Sequence, residues 1–342
     1  VSSDTSLNLE VSPSLAASIV DGLDYLKDYP YLCFEQTVSR FLPNLISLRA
    51  LKLAGKATDA QQSALDAQIW PALQRILSNQ NADGGWGLWP GSESQAKATA
   101  YIVLGLLEAR NEGYSVPNSV LNTGLDYLEN SLGTNFRTLK FWEQNRAAFT
   151  LYVLARGERS SANGINGLYQ NRATLNIYAK ALLMQAMHLD NPQDERLTTL
   201  LSDISGAAEK SAAGASWTEN QVDYWNWNTD TRSTAIVLNA LMQVDPENAL
   251  IPDAVRWLMN HRQGSHWYST QETAWSLMAL TNWLSLSGEF ETDYQYALGL
   301  NGNLFEQGQA SHERLTETII LRLDVEKLLA DTTNTLVIAR GD

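Results

Sequence analysis

A short helical pattern, opening on a small residue and apolar on nearly every side after it, occurs five times in this chain. It reads Thr99-Ala100-Tyr101-Ile102-Val103-Leu104-Gly105-Leu106, Ala148-Phe149-Thr150-Leu151-Tyr152-Val153-Leu154, Ala181-Leu182-Leu183-Met184-Gln185-Ala186-Met187, Thr234-Ala235-Ile236-Val237-Leu238-Asn239-Ala240-Leu241 and Thr273-Ala274-Trp275-Ser276-Leu277-Met278-Ala279-Leu280. From Ala100 through Ala148, Ala181 and Ala235 to Ala274 the steps are 48, 33, 54 and 39 residues, the length of a helical hairpin with loops of varying size. A helix apolar all round is a buried helix. The copies are therefore expected to be the inner helices of a ring.

The segments between them carry one apolar face each, as outer helices require. Gln62 to Leu77 presents Leu65, Ile69, Leu73 and Ile76; Pro117 to Leu132 presents Val120, Leu121, Leu125 and Leu128; Ile251 to Met259 presents Ala254, Val255 and Leu258. A sixth inner helix is expected over Glu35 to Leu53, with Phe41, Leu45, Leu48 and Leu51 at helical steps, after an outer partner Leu15 to Leu26. Six hairpins closing on themselves predict a mainly α fold, an α/α toroid. The loops into three inner helices share a Gly/aromatic signature, Asp83-Gly84-Gly85-Trp86-Gly87-Leu88-Trp89, Gly214-Ala215-Ser216-Trp217 and Gly264-Ser265-His266-Trp267, which resembles the loops of toroidal terpene cyclases and prenyltransferases.

The two ends read differently. Ser6 to Val11, Tyr296 to Leu300 and Thr318 to Leu323 alternate at period two, and Asn301-Gly302 is a hairpin turn ahead of Leu304. The predicted organisation is a first strand in residues 1–12, an inserted helical domain in 13–288 and returning strands in 289–342. The chain opens at Val1 without Met or a signal-like region and stops just after a strand-like stretch, so it is expected to be a piece of a longer, processed protein.

With 24 Lys+Arg against 38 Asp+Glu the net charge is −14. No basic cluster is present to neutralise phosphates, which argues against nucleic acid and anionic membrane surfaces as partners. No apolar run approaches the roughly 20 residues of a membrane span, so this segment is not expected to insert directly. The single cysteine, Cys33, can form no intrachain disulfide and is either inert core or chemistry.

Its surroundings read Tyr29-Pro30-Tyr31-Leu32-Cys33-Phe34-Glu35-Gln36-Thr37-Val38-Ser39-Arg40-Phe41-Leu42-Pro43. Cys33 and Gln36 are three apart, so at a turn entering a helix their side chains share a face. Attack of the thiolate on the Gln36 amide carbonyl expels ammonia and closes a β-cysteinyl-γ-glutamyl thioester. A thiol, with a pKa of about 8.5, leaves far more readily than an amide nitrogen. Such a bond has to be kept dry, and Tyr29, Tyr31, Phe34, Trp86 and Trp89 are candidates for shielding it. Once exposed, a lysine amine of another protein takes the acyl group and frees Cys33. As a small buried hydrophobe the cysteine would need no partner; a Cys-x-Glu-Gln string arises by chance in a chain this long only at roughly the one-in-a-hundred level.

Cys-x-Glu-Gln after Tyr-Pro-Tyr and before Thr-x-Ser-Arg resembles the thioester motif of the α2-macroglobulin and complement thioester-protein family, nearest to its bacterial α2-macroglobulins. The resemblance covers nearly the whole chain. It implies an α/α toroid inserted in a CUB-type β module, here partial. It implies further a role without turnover, in a broad-spectrum protease inhibitor of the bacterial periplasm whose full-length form is membrane-anchored. Target proteases are then tethered covalently through lysine after a bait region is cut, and the remaining macroglobulin domains of the same protein are partners. Cys33 and Gln36 carry the cross-link, with Glu35 and Tyr31 supporting it, and no catalytic residue is assigned. Complement relatives that prefer hydroxyls use a histidine roughly a hundred residues after the motif; none precedes His188 here, and Asn130, Asn135 and Asn145 occupy that stretch. Direct aminolysis is the expected route.

Other chemistries fit less well. His261 and His266 are five apart across Gly264 and far from Cys33, while His188 and His312 are isolated, which is not metal-ligand spacing. Asp28, Cys33 and His266 match the residue types of a prenyltransferase zinc site, but Cys33 is better explained by its own motif, and no metal or cofactor is expected. Asn228-Thr229-Asp230-Thr231 has too few acids for terpene cyclisation. A toroidal glycosidase using paired carboxylates from Asp83, Glu93, Glu143, Asp223 and Asp230 is the alternative; those acids also suit solvated loops and helix caps.

Overall fold

The computed structural model describes residues 6–11, 14–53, 55, 57–133, 135–289, 293–311, 319–324 and 333–341, with side chains described for all of these except 6–11, 53 and 319–324. Thr318 and His312 lie outside the described residues, as do 1–5 and 12 of the expected first strand segment. By packing, Val1–Asp21 with Ser287–Asp342 form one compact unit and Gly22–Leu286 another.

The second unit is a ring of alternating helices. The inner helices are α2 (Phe34–Leu53), α4 (Ala96–Asn111), α6 (Phe141–Arg156), α8 (Ile177–Asp190), α10 (Asp230–Val244) and α12 (Thr270–Ser287). The outer ones are α1 (Leu15–Lys27), α3 (Asp59–Leu77), α5 (Asn118–Ser131), α7 (Ala162–Gln170), α9 (Arg196–Gly206) and α11 (Ile251–Asn260). Each inner helix from α2 to α8 packs on the next inner helix, and each from α2 to α10 on the outer helix that follows it. The ring is closed by side chains: Asn282 of α12 donates to Asn239 of α10 at 2.8 Å, and the hydroxyls of Thr281 of α12 and Ser47 of α2 meet at 3.1 Å. The five repeat alanines, Ala100, Ala148, Ala181, Ala235 and Ala274, are all fully buried. A side chain larger than methyl there would hold neighbouring helices apart.

Why three of the five copies begin Thr-Ala becomes clear from their loops. Trp86, Trp217 and Trp267 are each fully buried, and each indole N–H donates to the last turn of the preceding outer helix: Ile76 O at 2.9 Å, Ile204 O at 2.8 Å and Leu258 O at 2.9 Å. The backbone N–H of each tryptophan donates in turn to the hydroxyl of Thr99, Thr234 or Thr273 on the next inner helix, at 2.9, 3.2 and 3.1 Å. One tryptophan thus adds a second bond to a carbonyl that already accepts a backbone N–H at the end of an outer helix, and fixes the start of an inner one. The copies without such a threonine partner, in α6 and α8, follow short 3-10 turns at Phe136–Thr138 and Arg172–Thr174 instead. Glycine is required on two of these loops. Gly84 and Gly214 have φ of +85° and +127°, and a Cβ would fall 2.3 Å from Thr123 O and 2.2 Å from Asp253 O.

The first unit carries the strands. β1 (Ser6–Val11) pairs antiparallel with β6 (Ile319–Asp324), Ser6 opposite Asp324, and β4 (Tyr294–Leu300) lies between β5 (Asn303–Ala310) and β7 (Leu336–Gly341). Asn301 and Gly302 both have positive φ, 52° and 82°, as a two-residue hairpin turn demands. A further hairpin, β2 (Glu209–Ser211) with β3 (Gly214–Ser216), sits within the helical unit, where the sequence gives only a loop signature.

Candidate functional site

Cys33 is the residue on which α2 begins. Its carbonyl accepts the first helical bond, from Thr37 N at 2.8 Å, and also the Thr37 hydroxyl at 2.9 Å. Its N–H donates to Gln36 Oε1 at 3.0 Å. This is half of a capping box, in which a glutamine at the third helical position reaches back to the capping residue, with a thiol where serine or threonine usually stands. The Gln36 amide is therefore held over the cysteine's own backbone by ordinary helix-start geometry. Cys33 is buried, and burial raises its thiol pKa despite the hydrogen-bonding around it.

Glu35 turns inward from the same helical turn. Its buried carboxylate accepts from the Ser39 hydroxyl at 2.7 Å, the Thr270 hydroxyl at 2.9 Å and the Gln271 amide at 2.9 Å, and the Cys33 thiol lies 3.9 Å from its Oε2. Ser39 Oγ is 3.0 Å from the Tyr101 hydroxyl, whose pKa burial and then Glu35 push far above the usual range. Behind Gln271 stands Arg232, buried, donating from Nε to Gln271 Oε1 at 3.1 Å and from Nη1 to Asn228 Oδ1 at 3.1 Å. Its guanidinium also lies over the rings of Tyr178 and Trp275. Glu35 was expected to matter from its motif. Thr270, Gln271 and Arg232 carried no signal in the sequence, because they reach the site only through ring closure.

The remaining expected residues scatter. Phe34 and Trp86 are buried, and Phe34 N donates to Leu88 O at 2.8 Å, seating the tryptophan loop on the start of α2. Tyr31 and Trp89 are 64% and 52% exposed in this chain. Each sits at a loop tip, Tyr31 meeting Tyr29 edge-on. Asn130 and Asn135 face solvent, whereas Asn145 is fully buried, donating to Asp223 Oδ2 at 2.9 Å and accepting from Asn176 N at 3.0 Å. The carboxylates weighed for glycoside hydrolysis have local duties. Asp83 accepts from Gly85 N and the Ser94 hydroxyl, Glu143 caps α6, and Asp230 accepts from Glu219 N. Asp223 is bonded by Asn145, Tyr178 and Asn226. Glu93 is exposed. Among the described residues no group of three metal-ligating side chains forms, and no helix is long and apolar enough to cross a membrane. His266 stacks flat on Tyr25, ring centroids 3.7 Å apart.

The arrangement is an α/α toroid with a buried cysteine and a glutamine paired at the start of its first inner helix. The family model described as A-macroglobulin TED domain matches residues 6–135. The alpha-2-macroglobulin of Escherichia coli K12 is 26% identical over 295 residues, 80% of this chain and 16% of that protein. Thioester-containing protein 1 allele S3 of Anopheles gambiae is 25% identical over 317 residues, 85% of this chain and 23% of that protein. The native E. coli alpha-2-macroglobulin, in a crystal structure from domain MG7 to the C-terminus, superposes with a TM-score of 0.69 at 20% identity, covering 98% of this chain and 50% of that one. The Salmonella alpha-2-macroglobulin reacted with methylamine gives 0.67 at 20% identity, covering 92% of this chain and 20% of that one. The chain is related to the A-macroglobulin thioester domains, with bacterial alpha-2-macroglobulins among its relatives. It spans less than a quarter of the length of these curated relatives.

Proposed function

We propose that this chain is the thioester domain of a bacterial α2-macroglobulin-like protease inhibitor and that Cys33 and Gln36 form its internal thioester. The observation that carries the reading is the bond from Cys33 N to Gln36 Oε1, which holds the amide at a buried thiol on the first turn of an inner helix. Closure joins Cys33 Sγ to Gln36 Cδ, breaks the Cδ–Nε2 bond and releases ammonia, the thiol proton leaving on the nitrogen. In the second step a lysine Nζ of a protease attacks Cδ and the sulfur departs, taking up the proton that the amine gives up. An amide to the protease remains, and Cys33 is a thiol again. The domain acts once per molecule and is not an enzyme.

The surrounding protein supplies the rest of the function. By the family's logic, bait cleavage uncovers the thioester, and the other macroglobulin domains hold the captured protease. Residues 1–12 and 289–342 are proposed to belong to a CUB-type module around a thioester domain in 13–288, and the full-length protein to be anchored in the periplasm. Asn145 is spent on Asp223 and Asn176, which supports direct transfer to amines rather than relay to hydroxyls. No observation favours the glycosidase reading.

Intact mass with and without methylamine tests the proposal. A mass one ammonia below the sequence value, rising by one methylamine with release of one thiol, is expected; a mass equal to the sequence value and unmoved by methylamine overturns it. In competition, glycerol ester in excess over methylamide would overturn direct aminolysis alone.

A further inference from the structure

A groove of about 590 Å³ lies between α1 and α3 with α2 as its floor, beside the segment that delivers Cys33. Lys27, Arg40 and Arg75 line it, and Asp28 is the one acid among its lining residues, in a chain whose net charge is −14. Among the described residues none of these three cations has an ion pair, whereas Arg49, Arg156, Arg159 and Arg196 all do. Two of the three are spent on neutral carbonyls at either end of the segment before Cys33. Arg40 Nη2 donates to Lys27 O at 2.5 Å, and Arg75 Nη2 donates to Leu32 O at 2.7 Å. Arg75 Nε is buried and has no acceptor.

We propose that this groove docks a carboxylate-bearing segment of a partner polypeptide and that docking loosens the Cys33 segment. A carboxylate adds charge attraction to the hydrogen bond that a neutral carbonyl also accepts from guanidinium, and the arginine fork takes a carboxylate with two donors at once. A carboxylate at Arg75 satisfies the orphan Nε and competes for the Nη2 that now holds Leu32 O. The small residues and Pro71 on the exposed face of α3 leave room for apolar side chains beside the charge. Linkage makes the effect reciprocal, so a partner that binds better when the segment is loose also loosens it. The consequence for acyl transfer rests on the thioester reading; the docking does not.

The test uses the whole chain with a short capped peptide of alternating glutamate and leucine, and the same peptide with glutamine for glutamate, measured by titration calorimetry. The glutamate peptide is expected to bind, less tightly as salt rises, and about tenfold more weakly to Arg75→Ala and to Arg40→Ala. With the peptide bound, methylamine-dependent release of the Cys33 thiol is expected to speed up several-fold, and Arg75→Ala to be faster without it. If intact mass shows no thioester, alkylation of Cys33 by iodoacetamide reads the same opening, so acceleration there keeps this proposal while the thioester reading falls. Equal binding of the two peptides, affinity indifferent to both substitutions, or binding that leaves the Cys33 rate unchanged overturns it.

Discussion

Arg232 Nε donates to Gln271 Oε1 at 3.1 Å, and the other end of that amide donates to Glu35 at 2.9 Å. A buried cation and a buried carboxylate are thereby joined through one neutral side chain. The arrangement keeps each of them hydrogen-bonded while the charges still feel one another in a poorly screened interior. Arg232→Met keeps the aliphatic bulk between Tyr178 and Trp275 but removes a fully buried cation whose charge favours the carboxylates of Glu35 and Asp223. It is expected to cost about 3–5 kcal/mol in denaturant-unfolding experiments. A loss below about 1 kcal/mol would mean that the rings, rather than the charge, set the arginine's place.

The tryptophan clasps make a second, more local prediction. Trp217→Phe retains most of the ring but removes the donor to Ile204 O. Ile204 O keeps its bond from Ala207 N at 3.2 Å, so the loss is that of one buried hydrogen bond, about 0.5–1.5 kcal/mol. Thr234→Val, which takes away the acceptor of Trp217 N, is expected to cost a similar amount, and the double variant less than the sum, because both act on one clasp. Strict additivity in the unfolding midpoints would separate the two bonds.

Glycine substitutions distinguish strain from collision. Gly113 has φ +88° with open space where a Cβ would stand, so Gly113→Ala pays only for the left-handed backbone, about 1 kcal/mol. Gly214→Ala meets the Asp253 carbonyl as well and is expected to lose at least twice as much, read as a larger fall in melting temperature. Equal losses would show that the β2–β3 hairpin moves aside freely.

The thiol gives a pH signature in a variant that cannot form the thioester. In Gln36→Ala, alkylation of Cys33 by iodoacetamide is expected to rise with pH around a midpoint above the usual value of about 8.5, because burial disfavours the thiolate. Unfolding the same variant in denaturant should bring the midpoint back to that value. Since the folded state holds the proton more tightly, its contribution to stability is present below the unfolded pKa and is lost as pH rises through the folded one. A native midpoint at or below the unfolded one would contradict the burial of Cys33.

Much of the ring was legible because its signals are local. The run of apolar residues after Ala100 or Ala235 is a direct imprint of a helix surrounded on all sides, and the Asn301-Gly302 turn carries its own backbone requirement. The pair Cys33 and Gln36 was legible for the same reason, since three residues at a helix start suffice to bring them together. What the sequence did not disclose is held by distance along the chain. Thr270 and Gln271 meet Glu35 across 235 and 236 residues, and Asn145 meets Asp223 across 78. Such pairs leave no periodicity, and only the closed ring defines them. Nor does the sequence say which way the loops carrying Tyr31 and Trp89 point, and both side chains are exposed in this chain.

Ring closure also has a meaning in time. A growing chain presents Cys33 early, yet Thr270, which completes the bonding of the neighbouring carboxylate, follows 235 residues later. Until α12 has been made and docked, Glu35 faces water and the first inner helix has an open flank. The pocket around the thiol is thus the last part of the domain to be finished during synthesis, although its thiol is among the first parts to appear. An abandoned, partly translated chain carries Cys33 and Gln36 without the bonds to Glu35 that the closed ring supplies.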